Sequence, residues 1–181
     1  MKISLIRHGE STANAGNFIS DDPAKPVGLT ASGRAQAEAL ALQLRNVNFT
    51  LAYASEFPRA RETAAILLRQ HACELLIDAR LNERKSGMDG LPVHLFNDQV
   101  KQDPLHFKTP AGESFLEQMA RVLSFLDELA VRYPDGNILA VSHENPIMAA
   151  LALTVADPAT VVFSNLHNCG RLDLQWPQQR H

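Results

Sequence analysis

The sequence predicts an α/β domain, a three-layer α/β/α sandwich around a mostly parallel central sheet. Two observations point there. Short apolar runs of strand length alternate with longer segments whose apolar residues recur every three to four positions. The composition is that of an ordinary globular chain, 45% apolar and 20% charged over 181 residues, enough to fill a core between helical layers. The chain is read as one domain over 1–181, with 80–112 as a lid or insert segment.

Each element follows from local chemistry. Met1–Arg7 reads as the first strand: Ile3 and Leu5 alternate with Lys2 and Ser4 before Ile6 breaks the period. From His8 to Gly28 the chain is rich in Gly and Pro and reads as turns. Thr30 is a natural N-cap for a helix running to about Arg45, with Ala37, Leu40, Ala41 and Leu44 on one stripe. Phe49–Ala54 is a short buried strand. Pro58 suits the first turn of the next helix, striped by Ala60, Ala64, Leu67 and Leu68. Leu75–Ile77 is a third strand.

The segment 80–112 holds Pro92, Pro104 and Pro110 and has little sustained periodicity, apart from a short helix around Val93–Lys101. Long segments of this kind inside a domain commonly serve as lids or binding loops. Phe115, Met119, Val122, Leu126, Leu129 and Tyr133 then form one stripe of a long helix, closed by Pro134-Asp135-Gly136. Asn137–Ser142 is a buried strand, Asn145-Pro146 opens another helix, and Val161–Phe163 and Arg171–Leu174 read as two final strands.

Charge and cysteine content narrow the function. Seventeen basic against 20 acidic residues leave a net charge of −3, which argues against a general nucleic-acid or anionic-membrane surface. Cys73 and Cys169 form no CxxC pair and suit a reducing compartment. The N-terminus lacks a signal-peptide core, and no apolar run approaches the ~20 residues of a membrane span. A cytoplasmic protein is expected. Its oligomeric state is not legible.

In such sheets ligands bind where strands end and helices begin, and two histidines stand at that kind of position. Arg7-His8-Gly9-Glu10-Ser11, with Asn14 three residues on, leaves the first strand. An imidazole with one unprotonated nitrogen is a nucleophile toward phosphorus, and a guanidinium beside it can grip phosphoryl oxygens with two prongs. Ser55-Glu56-Phe57-Pro58-Arg59 places an Arg at a helix start, where free N–H groups already favour anions. Val141-Ser142-His143-Glu144-Asn145-Pro146 places the second histidine at another strand end. Each residue alone has an ordinary structural explanation, and Arg61 is assigned to one, a solvated helix surface.

Together and in this order, the three segments resemble the histidine phosphatase superfamily, which includes cofactor-dependent phosphoglycerate mutases and related phosphatases. Leu29-Thr30-Ala31-Ser32-Gly33 with Gln36-Ala37 resembles the family's LTxxGxxQA segment. Leu81-Asn82-Glu83-Arg84 with Gly87 and Gly90 resembles the mutase-like LxExxxGxxxG segment, and Gly112-Glu113-Ser114 followed by Arg121-Val122 fits a further family pattern. The resemblance implies that His8 attacks the phosphoryl group, that Arg7, Arg59 and His143 bind its oxygens with Asn14 as a further donor, and that Glu83 protonates the leaving alkoxide. It implies no metal and no cofactor. Ser11 is taken as a substrate contact beside Asn14.

The sequence departs from the pattern at Glu144, where the family usually has Gly. The acid-phosphatase branch uses a carboxylate beside this histidine as proton donor, so Glu144 rivals Glu83 as the acid or tunes specificity. The short chain and the apolar residues Met88, Leu91, Phe96 and Phe107 in its insert favour a phosphomonoesterase, and a phosphorylated small molecule is the expected substrate. The alternatives are a phosphoglycerate-type mutase, a phosphohistidine protein phosphatase, and a non-catalytic phosphate-binding regulatory domain.

Overall fold

The computed structural model describes residues 1–177, so the last four positions of the expected domain lie outside the described residues. Five strands form one sheet in the order β3-β2-β4-β1-β5, where β1 is Lys2–Arg7, β2 Leu51–Ala54, β3 Leu75–Ile77, β4 Asn137–Ser142 and β5 Arg171–Gln175. The pairs β1–β4, β2–β4 and β2–β3 are parallel, and β5 alone runs antiparallel, against β1.

Helices cover both faces, completing the three-layer sandwich. On one face α5 (Phe115–Arg132) and α6 (Glu144–Ala152) pack Phe125, Leu126, Leu129 and Ile147 against Ile3, Leu5, Ile138 and Ala140. On the other, α2 (Ala31–Leu44) and α3 (Pro58–Leu67) pack Leu40, Leu44, Ala60, Ala64 and Leu67 against Ile6, Ala52, Leu139 and Val141. Alternate residues of each central strand thus enter opposite cores. This is why Ile6 interrupts the two-residue period: a strand buried on both faces has no polar side to preserve.

Capping sets the boundaries. Thr30 accepts a hydrogen bond from Gly33 N at 2.9 Å and starts α2, and Pro58 occupies the first turn of α3. Ser114 and Glu117 form a reciprocal capping box on α5. The same device makes an element that the turn-rich composition of 8–28 concealed, the short α1 (Thr12–Gly16), capped by Ser11 and Asn14.

One expectation changes. Val161–Phe163 is not a strand. Asp157 accepts from Ala159 N and Pro158 starts a 3-10 turn, Pro158–Val161, which sends Val161 and Val162 into the core. The insert, in turn, is well packed. Its helix α4 (Val93–Val100) buries Phe96 and Val100. Arg84 is buried too, lying 5.1 Å over the Phe96 ring and donating to the carbonyls of Phe107 and Glu113.

Candidate active site

Sheet topology sets the two histidines side by side. In the β1–β4 register Arg7 lies opposite Ser142, so His8 and His143 leave adjacent parallel strands at the same level. His8 N donates to Ser142 O at 3.0 Å, and the rings meet edge to face with centroids 5.0 Å apart. Gly9 makes a close backbone approach to the start of α2. A Cβ there would overlap the Gly33 carbonyl, and a Cβ on Gly33 would overlap the backbone of Glu10.

The hydrogen bonds of His8 define its tautomer. Nδ1 lies 2.7 Å from Gly9 O, an atom that can only accept, so Nδ1 carries the proton. Nε2 accepts from Arg59 Nε at 3.1 Å and keeps its lone pair. Burial, then the Arg59 charge, holds the imidazole well below its usual pKa despite the opposing bond to Gly9. His8 is therefore neutral and nucleophilic at Nε2 through neutral pH.

Arg59 is the second residue of α3 and only 3% exposed. It donates to Ser20 Oγ at 3.0 Å and Ser20 O at 2.9 Å, and its guanidinium stacks 4.4 Å from the Phe57 ring. Burial lowers its pKa to about 10, which leaves it charged at neutral pH. None of the ion pairs among the described residues involves Arg59. A buried cation without a carboxylate partner is costly unless an anion binds beside it.

His143 is fully buried, its ring edge to face against both His8 and Phe57. Its Nε2 lies 2.8 Å from Ser55 Oγ, and the same oxygen accepts from Phe57 N. A hydroxyl can accept twice as well as donate, so this contact orients the ring without fixing its tautomer. Nδ1 has no partner, and neither does the buried Nε of Arg7. Orphaned buried polar atoms are rare, and a bound ligand is one way to satisfy them.

Glu83 follows a 3-10 turn, Ala79–Leu81, and faces the cleft from the insert side. One edge of the carboxyl meets the cleft while protein surrounds the rest. Oε1 accepts from Arg84 N at 2.8 Å and from Asn145 Nδ2 at 3.2 Å. Burial raises its pKa against the opposing pull of the Arg84 N–H, Arg59, Asn145 and Arg7. A carboxyl whose pKa is raised by burial holds its proton more readily, which suits a proton donor.

Asn14 Oδ1 is occupied by Ser11 N, Ser11 Oγ and Asn168 Nδ2, which leaves Nδ2 as the free donor at the cleft. Ser11, taken from the sequence as a substrate contact, is fully buried with its hydroxyl given to Asn14. It caps α1 and orients that side chain. Glu144, at the first turn of α6, accepts from Leu166 N at 2.9 Å and pairs with Arg7 at 3.2 Å. It thereby pairs with one of the arginines that line the cleft.

Ser20, Ser55, Asn145 and Asn168 were not singled out as site residues. Ser55 and Asn145 stood inside the segments already quoted, but a hydroxyl or amide acting through a histidine or carboxyl has no signature of its own. Asn168 reaches His8 O at 3.1 Å from the far end of the chain. Among the described residues no group of three or more His, Cys, Asp or Glu is placed to hold a metal ion, and no helix is long and apolar enough to cross a membrane.

Comparison with known proteins agrees with this geometry. A family model described as "Histidine phosphatase superfamily (branch 1)" matches residues 3–180. The adenosylcobalamin/alpha-ribazole phosphatase of Escherichia coli K12 is 31% identical over 173 residues, covering 90% of this chain and 83% of that protein. A probable phosphoglycerate mutase, GpmB, of Escherichia fergusonii is 30% identical over 190 residues, covering 98% and 87%. The crystal structure of the alpha-ribazole phosphatase from Shigella flexneri superposes with a TM-score of 0.84 at 28% identity, covering 98% of this chain and 92% of that one.

Proposed function

The chain belongs to the histidine phosphatase superfamily, branch 1, and from that premise we propose that it hydrolyses phosphomonoesters through a phosphohistidine on Nε2 of His8. The observation that carries this reading is the contact between that nitrogen and the unpaired, buried Arg59 guanidinium. Nucleophile and anion-binding cation share one point in a cleft of about 530 Å³.

The steps follow from the groups present. Nε2 of His8 bonds to phosphorus as the ester P–O bond breaks, and the departing alkoxide takes its proton from Glu83. Arg7, Arg59, His143 and Asn14 Nδ2 hold the three non-bridging oxygens, where charge gathers in the transition state. Water then attacks the phosphohistidine, Glu83 accepts a proton from it, and inorganic phosphate leaves with His8 restored. The two arginines supply the positive charge that other phosphatases draw from metal ions, and the reading invokes no cofactor.

A cleft of this size fits a phosphorylated metabolite. Its aromatic lining by Phe18, Phe96 and Phe163 favours hydrolysis of an ester with a partly apolar alcohol over a mutase reaction, which needs a closed polar chamber around the phosphoenzyme. The protein should hydrolyse an aryl phosphate without added metal, and a panel of sugar, nucleotide and other metabolite phosphates, including α-ribazole phosphate, identifies its substrate. Rapid denaturation during turnover should trap phosphate on His8, and His8→Ala should abolish turnover. Label on another residue, or activity retained in His8→Ala, would sink the mechanism.

A further inference from the structure

Beyond the phosphoryl site the cleft is unevenly charged. Its walls are aromatic side chains and neutral amides, among them Phe18, Phe163, Asn17 and Asn97. Among the described residues only one cation other than Arg7 and Arg59 lines it. That residue, Arg84, is buried, with Nε and Nη2 committed to backbone carbonyls and its face against Phe96. Lysine is absent from the lining.

Against this scarcity of cations stands Glu144. Its Oε1 is anchored by Leu166 N and Arg7, while Oε2 makes no hydrogen bond among the described residues. The side chain is 30% exposed and lines the cleft. The Arg7 pairing holds a carboxylate at the border between the phosphoryl site and the space for the alcohol, and offsets one of the two phosphate-binding charges. What remains suits a single phosphoryl group. Among the described residues lining the cleft, a second anion on the substrate would find no free guanidinium or ammonium to meet it and would face the fixed carboxylate of Glu144.

We propose that Glu144 is a specificity-determining residue that selects phosphomonoesters whose alcohol is uncharged or cationic and rejects those whose alcohol carries a carboxylate or a second phosphate. This rests on the phosphatase reading and deepens it. Bulk charge repulsion does not explain such a preference, because the selecting charge is one residue held in place by two named contacts.

The test uses three monoesters of equal length: propyl phosphate, 3-aminopropyl phosphate and 3-phosphooxypropanoate. The wild type should show kcat/KM at least about tenfold lower for the carboxylate than for the other two, a difference of about 1.4 kcal/mol. Glu144→Gln and Glu144→Ala should each shrink that ratio at least fivefold, because the repelling charge is gone. Any general loss from a disturbed Arg7 or a smaller folded fraction cancels in a ratio taken within one variant. A ratio unchanged in both variants, or a wild type that prefers the carboxylate, overturns the assignment of Glu144 while leaving the phosphatase reading intact. If the wild type hydrolyses none of the three and no aryl phosphate either, the phosphatase reading falls and takes this one with it.

Discussion

Arg59 donates from Nε to Nε2 of His8 across 3.1 Å, so the cation that would bind the phosphoryl group also aligns the lone pair that attacks it. One contact therefore sets position and protonation state together. Burial and the neighbouring positive charge both hold His8 below its usual pKa.

Removing that cation should uncouple the two effects. Arg59→Ala should lower kcat/KM by about 10³-fold, the scale typical of losing a fixed transition-state donor. It should also move the acid limb of the rate profile upward, because the His8 pKa rises toward 6.5 when Arg59 no longer opposes its protonation. Arg59→Lys should recover little, since one ammonium cannot serve Ser20 and His8 together. A pH–rate series on the three proteins checks this, and an unmoved acid limb in Arg59→Ala would contradict it.

Glu83 should govern the alkaline limb. Its raised pKa keeps it protonated above the ordinary carboxyl range, so kcat for an alkyl phosphate should fall as pH rises through that raised value. Glu83→Gln should erase this limb and cost about 10²–10⁴-fold for an alkyl ester, but much less for 4-nitrophenyl phosphate, whose leaving group needs no proton. Stability follows pH in the same direction. A carboxyl with a raised folded pKa contributes fully below the unfolded value of 4.5 and loses that contribution as pH rises through the folded value. Glu83→Gln should thus melt higher than wild type at neutral and alkaline pH, with the difference fading toward pH 4. Equal pH profiles for wild type and Glu83→Gln would move the acid's role elsewhere.

Ser55 tests whether the hydrogen-bond partner of the second histidine matters. Ser55→Ala removes the hydroxyl that bonds His143 Nε2. We expect kcat to drop about 10- to 100-fold with KM changing less, and stability to fall by about 1 kcal/mol for the lost buried hydrogen bond. Unchanged kcat with the same loss of stability would mean that Ser55 merely holds the ring in place.

Gly33→Ala should destabilise the fold although it adds a good helix former. Its Cβ would collide with the Glu10 backbone, where the loop carrying the nucleophile crosses the first turn of α2. A loss of at least about 2 kcal/mol in urea unfolding is expected, against the gain of about 0.8–1 kcal/mol at an unconstrained helix position. A variant as stable as wild type would show that the two segments do not touch this closely.

Much of this arrangement was legible because its signals are local. Thr30, Pro58 and the stripe from Phe115 to Tyr133 declare their helices through capping and period, and Asn137–Ser142 declares a strand buried on both sides. Where the signal was ambiguous, short-range chemistry won: Asp157 and Pro158 wound Val161 into a turn although its neighbours are β-branched and aromatic. The motif residues located the site, but the groups that tune it were hidden. Asn168 bonding to His8 O and Asn14, Glu144 pairing with Arg7, and Ser20 holding Arg59 all join residues far apart in the chain. Such pairings exist only after the sheet has formed and leave no periodicity to read.

The placement of β1 between β4 and β5 also bears on how the site comes together. His8 follows β1 directly, whereas the strands on either side of β1 begin only at Asn137 and Arg171. Before those distant segments dock, His8 has neither His143 nor Asn168 beside it. The candidate site should therefore assemble late in folding, after the longest loops have closed, rather than with any local element.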